Sequence, residues 1–94
     1  RDRGARLRER LAALVARHPG VLAEVRGVGL MLGLACVLDN RLLVDRLFDL
    51  GLLTIPASDN VVRLVPPLIV DDAHLDEALA ILDRACGELA DKAA

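Results

Sequence analysis

Leu75, Leu79, Leu82, Cys86 and Leu89 recur at alternating steps of four and three. That spacing puts all five on one stripe of an α-helix. An apolar stripe must be covered, so the rest of the chain has to supply an apolar layer, and a sheet is the obvious one. Its material is aliphatic: 54% of the 94 residues are apolar, yet Phe48 is the only aromatic. A chain of this size makes one domain, residues 1–94, around one core. The apolar content argues against disorder. The lack of rings argues against a stacking reader of single-stranded nucleic acid.

The remaining elements can be read in order. Leu7, Leu11, Leu14 and Val15 share one face of a helix from about Asp2 to Arg17, with arginines opposite. His18-Pro19-Gly20 ends it. The chain opens directly on this helix, which reads as a piece of something longer. Val25-Arg26-Gly27 suits a short edge strand, and Gly27 and Gly29 bracket a turn or bulge. Leu30 to Val37 reads as a strand covered at least partly on both faces, with Gly33 marking a close approach. Asp39 or Asn40 can cap a second helix of about Arg41 to Leu50, which Gly51 closes in a left-handed conformation. Leu43, Leu47 and Leu50 form its apolar face, with Val44 and Phe48 adjoining. Leu52–Ile55 is a strand, Pro56–Asn60 a turn by composition, and Val61–Val65 a strand stopped by Pro66-Pro67. Asp71 or Asp72 can cap the final helix.

This order predicts an α+β fold, a two-layer sandwich. Its small, mostly antiparallel sheet has three to four strands, with helices packed on one face. One arrangement places Val61–Val65 between the other two strands. Leu30–Val37 and Leu52–Ile55 are then parallel and joined by a right-handed crossover.

The net charge is −2, unevenly spread: residues 1–17 carry six arginines against Asp2 and Glu9, and the remainder is acidic. A solvated basic face accounts for this without nucleic-acid readout, and no such partner is expected. Cys36 and Cys86 lack metal-ligand spacing and read as buried, reduced thiols. No leader or membrane span is visible, so the expectation is a cytoplasmic protein without a membrane partner.

The catalytic inventory is short. Ser58 and Thr54 are the only hydroxyl side chains, and no nucleophile elbow surrounds Ser58. His18 sits at a helix end and His74 in a first turn, without a third ligand, so no metal site is expected. Asp71-Asp72 reads as helix capping. Arg63 stands apart. It interrupts Val61-Val62 and Leu64-Val65, and alternation turns it away from Val62 and Leu64. A guanidinium on such a strand needs an anion or water. Its planar donors suit a carboxylate or phosphate, while an edge-strand arginine reaching into solvent fits equally well.

Two blocks carry a resemblance. One is Val25-Arg26-Gly27-Val28-Gly29-Leu30-Met31-Leu32-Gly33. The other is Asn60-Val61-Val62-Arg63-Leu64-Val65-Pro66-Pro67-Leu68. With His18-Pro19, Gly51-Leu52-Leu53-Thr54 and Asp76-Glu77-Ala78-Leu79, they resemble the class III, fold-type I, pyridoxal-phosphate-dependent aminotransferases in order and spacing over essentially the whole chain. Within that class the wording is closest to the acetylornithine aminotransferases of arginine biosynthesis. The resemblance implies the small C-terminal domain of a homodimeric enzyme whose large domain, absent here, binds pyridoxal 5'-phosphate. It implies that Arg63 faces the active site, binding substrate carboxylate or pairing with an active-site glutamate. It supplies no catalytic and no cofactor-binding residue in this chain. Two departures weaken the choice of substrate. Ala35-Cys36 stands where the family often has glutamate, and Ser58-Asp59 where a glycine is usual.

The residue inventory agrees. Lys92, near the C-terminus, is the only lysine, and a pyridoxal enzyme needs a lysine in a shaped pocket. The 94 residues alone are therefore expected to be inactive. Other readings are an ornithine, succinylornithine or 4-aminobutyrate aminotransferase, or a stand-alone carboxylate-binding or dimerising module.

Overall fold

A computed structural model describes residues 2–28, 31–64 and 72–93. The elements are α1 (Asp2–Arg17), β1 (Leu22–Val28), β2 (Met31–Cys36), α2 (Asn40–Asp49), β3 (Thr54–Ala57), a 3-10 turn (Ser58–Asn60), β4 (Val61–Leu64) and α3 (Asp72–Ala93). The four strands form one sheet in the order β1-β2-β4-β3, and each neighbouring pair is antiparallel. β4 lies between β2 and β3, as expected. Those two strands are thus parallel to each other, and α2 lies in the chain between them.

Alternation decides which side of the sheet is covered. Leu32 and Leu34 of β2 and Val62 and Leu64 of β4 are buried. They meet Leu7, Leu11 and Leu14 of α1, Leu43 and Leu47 of α2, and the Leu75–Leu89 stripe of α3 in one core. All three helices therefore lie on one face, and the other is buried at Gly33, Ala35 and Val61 but exposed at Met31, Ile55 and Arg63. The core is aliphatic, as the composition required. Phe48 takes no part in it and is 68% exposed.

The uneven charge has an internal explanation. Arg10 of α1 pairs with Asp76 of α3 at 2.6 Å, and Arg17 pairs with Asp83 at 2.9 Å. Arg46 of α2 pairs with Glu88 of α3 at 2.5 Å. The basic first helix is thus partly matched by the acidic last one. His18, just beyond α1, also reaches Asp83, its Nε2 lying 2.7 Å from Oδ1.

Several local expectations hold in detail. The Asp39 side chain accepts from the Arg41 N–H at 3.0 Å, which caps α2. Gly51 has φ 99°. A Cβ on Gly33 would come within 2.7 Å of Val61 Cγ1, so the close approach is real. Gly27 has φ 103°, and a Cβ there would collide with the Met31 carbonyl. The Pro66-Pro67 stop, Gly29 and Asp71 lie outside the described residues.

The strands differ from expectation at their ends. β1 starts at Leu22, not Val25, and is irregular between Leu22 and Glu24. β3 starts at Thr54 and takes in Pro56 and Ala57, which the composition assigned to a turn. The tight reversal is confined to Ser58–Asn60. Asp59 and Asn60 there have φ 65° and 63°, the left-handed conformation that glycine, asparagine and aspartate tolerate best. A glycine-favouring position occupied by Ser58-Asp59 is therefore met by aspartate.

Candidate functional site

The open face of the sheet carries Arg63. On β4 it stands opposite Gly33 of β2 on one side and Ile55 of β3 on the other. Both flanking positions leave it unshielded: Gly33 has no side chain, and Ile55 is itself 48% exposed. Among the described residues no carboxylate pairs with Arg63. Its guanidinium stands at a shallow recess of about 280 Å³, walled by Arg26, Met31, Gly33, Asp59, Val61 and Arg63. Gly33, Ala35 and Val61 are the covered part of this face, so β2 is partly covered on both sides, as expected.

The second arginine of the recess is differently placed. Arg26 stands opposite Gly33 from β1. Its Nε donates to Glu24 at 2.8 Å, and its Nη1 lies 3.7 Å from Asp59 Oδ2. Arg26 is therefore neutralised within the chain, whereas Arg63 has no such partner among the described residues. The arrangement can orient a planar anion on Arg63 through two parallel N–H donors. Among the described residues it holds no general base aimed at a nucleophile. Ser58 lines the recess and Asp59 is engaged with Arg26, so neither makes a catalytic pair.

Beneath the turn lies a polar network that sequence reasoning did not find. The Asn60 side chain accepts from the Asn40 N–H at 2.7 Å and donates to the carbonyls of Cys36 (2.9 Å) and Leu38 (2.6 Å). The Asn40 amide donates to the carbonyls of Val61 (2.9 Å) and Ala57 (3.3 Å). Two asparagines thus join the end of β2, the start of α2 and the mouth of the β3–β4 turn. Asn40 was legible only as a possible cap, and Asn60 only as a turn residue that opens the second resemblance block. Their partners lie about 20 residues away, and no local pattern announces such a link.

The other singled-out residues do not converge. His18 belongs to the Asp83 contact in the helix layer. The hydrogen bond from His18 holds the Asp83 carboxyl below its usual range despite some desolvation, and Arg17 adds to this. His74 lies on α3, beside a separate recess near Gly51. Both cysteines are free thiols. Burial, with Asp39 nearby, pushes Cys36 up to about 11, and burial pushes Cys86 up to about 12. Cys86 is buried as expected, and Cys36 is half-buried. Among the described residues no group of three or more His, Cys, Asp or Glu side chains could hold a metal ion. No helix among them is long and apolar enough to cross a membrane.

Comparison with known proteins gives a consistent pattern. The family model described as aminotransferase class-III matches residues 1–86. An acetylornithine aminotransferase of Thermosynechococcus vestitus is 47% identical over 94 residues, covering 96% of this chain and 23% of that protein. One from Brucella melitensis is 45% identical over 83 residues, 88% of this chain and 21% of that protein. Among solved structures, the ornithine delta-aminotransferase of Plasmodium falciparum superposes with a TM-score of 0.85 at 26% identity, covering 97% of this chain and 24% of that one. The lysine aminotransferase of M. tuberculosis superposes at 0.79 with 36% identity, covering 87% and 19%. The chain spans about a fifth of the length of the curated relatives it matches.

Proposed function

The chain belongs to the class III aminotransferases, and from that premise we propose that it is the small C-terminal domain of an acetylornithine aminotransferase. The full-length enzyme would move an amino group from N-acetylornithine to 2-oxoglutarate in arginine biosynthesis. It would act as a cytoplasmic homodimer with pyridoxal 5'-phosphate. The sequence relatives support the donor, since those at 43–47% identity are named for acetylornithine. Shape does not discriminate, because ornithine and lysine aminotransferases share this fold.

The residues present do not fit the cofactor. Lys92, the only lysine, is exposed in the last turn of α3. α3 belongs to the helix layer, on the far side of the sheet from Arg63. No step through the cofactor is therefore assigned to this chain. Its role is to bind and orient: Arg63 would hold a substrate carboxylate against a site built by the large domain.

The observation that carries this reading is Arg63 itself, a charged group without an internal partner among the described residues, on an open face edged by Met31 and Ile55. In the full-length enzyme, Arg63→Ala should raise KM for 2-oxoglutarate by the equivalent of about 2–3 kcal/mol, the size of a lost charge-assisted contact. Steady-state kinetics would check it. Unchanged KM would remove Arg63 from the substrate site.

A further inference from the structure

We infer that Asn60 is a positioning residue for Arg63, with Asn40 as its counterpart. The inference rests on the reading of Arg63 as a carboxylate anchor. β4 is short, running only from Val61 to Leu64. Its register with β2 comprises Ala35↔Val61, Leu34↔Val62 and Gly33↔Arg63. Burial of Val62 and Leu64 decides which face Arg63 occupies, since a one-residue slip would exchange the faces. Burial is not directional, however, and tolerates small slides along the strand. Hydrogen bonds do not tolerate them.

The Asn60 side chain extends the β2–β4 connection past its last paired residues. It donates to the carbonyls of Cys36 and Leu38, just beyond Ala35, and receives the Asn40 N–H. Asn40 completes the tie from below through the carbonyls of Val61 and Ala57. Each amide is committed to these partners, so neither can swap its oxygen and nitrogen without losing bonds. The network sits at the end of β4 where the chain enters from the turn, three residues before Arg63. It fixes where the strand begins, and with it the height of the guanidinium above Gly33. Placement matters because a bidentate, charge-assisted contact weakens steeply once its distance and angle leave the favoured range.

The φ of 63° at Asn60 provides a clean variant. Asn60→Gly keeps the left-handed backbone and deletes only the side-chain bonds. In the full-length enzyme it should raise KM for 2-oxoglutarate about tenfold, with kcat within about twofold. Asn60→Asp keeps the acceptor toward Asn40 but loses both donors. Its new carboxylate oxygen faces those two carbonyls, so it should give at least as large a rise. Asn40→Ala, which removes the tie from the other side, replaces the glycine variant if that one does not fold. In an Arg63→Ala background, adding Asn60→Gly should change KM by less than about twofold, because the two act through one contact. A lower Tm with unchanged KM makes Asn60 merely structural and overturns the inference. So does a KM increase that persists in full without Arg63. If Arg63→Ala alone leaves KM unchanged, the anchor reading falls with its dependent. If Arg63→Ala raises KM and Asn60→Gly does not, only the Asn60 inference falls.

Discussion

The two faces of the sheet are made by the same few residues of chain and obey opposite rules. On the helix side, Leu32, Leu34, Val62 and Leu64 are each no more than 6% exposed. On the other side, Met31 is 67% and Ile55 48% exposed, and Arg26 and Arg63 are exposed around a buried Gly33. One face is chosen for volume and the other for what it leaves accessible. Neighbouring positions on β4 therefore have opposite surroundings: Val62 is fully buried in the core, and Arg63 one residue later is exposed, without an ion-pair partner among the described residues.

That division can be tested by disturbing each face in turn. The largest effect should come from Leu34→Ala, which empties a fully buried site and should cost about 2–5 kcal/mol. Ile55→Ala on the open face should cost less than about 1 kcal/mol. Equal losses in thermal unfolding would mean that the open face is packed too. A gain is expected at Thr54. Its hydroxyl is buried without a hydrogen-bond partner among the described residues. Thr54→Val should stabilise by about 1 kcal/mol, and destabilisation would reveal a partner. The smallest effect belongs to the helix layer. The Asp83 carboxyl, bonded by His18, is lowered in the folded state. Its contribution is complete above the ordinary carboxylate range, near pH 4, and is lost as the pH falls through the folded value. Asp83→Asn should flatten the fall of Tm in acid. An unaltered slope would shift the cause to Glu88, which Arg46 and Arg84 also hold low.

How legible each face was depends on the range of the forces that make it. The helices were visible because Leu7–Leu11–Leu14 and Leu75–Leu89 repeat locally, and local repeats survive without knowledge of the fold. Arg63 was visible because it breaks an apolar run. β1 was half visible: Val25-Arg26-Gly27 has strand character, but Leu22-Ala23-Glu24 shows no alternation and crosses an irregularity. The Asn40–Asn60 network was not visible, since asparagine in a turn or before a helix has a local explanation that hides a distant one. The His18–Asp83 contact was hidden in the same way, as His18 already had a helix end to answer to.

The sheet also limits its own growth. Its outer strands are β1 and β3. β1 is irregular at Leu22–Glu24 and carries a Glu24–Arg26 ion pair, while β3 contains Pro56, which has no N–H to offer a further strand. Neither border is a good template for a foreign β-strand. A foreign strand arriving at either border would meet a broken or donor-poor ladder, so the described residues disfavour growth of this sheet by strand addition.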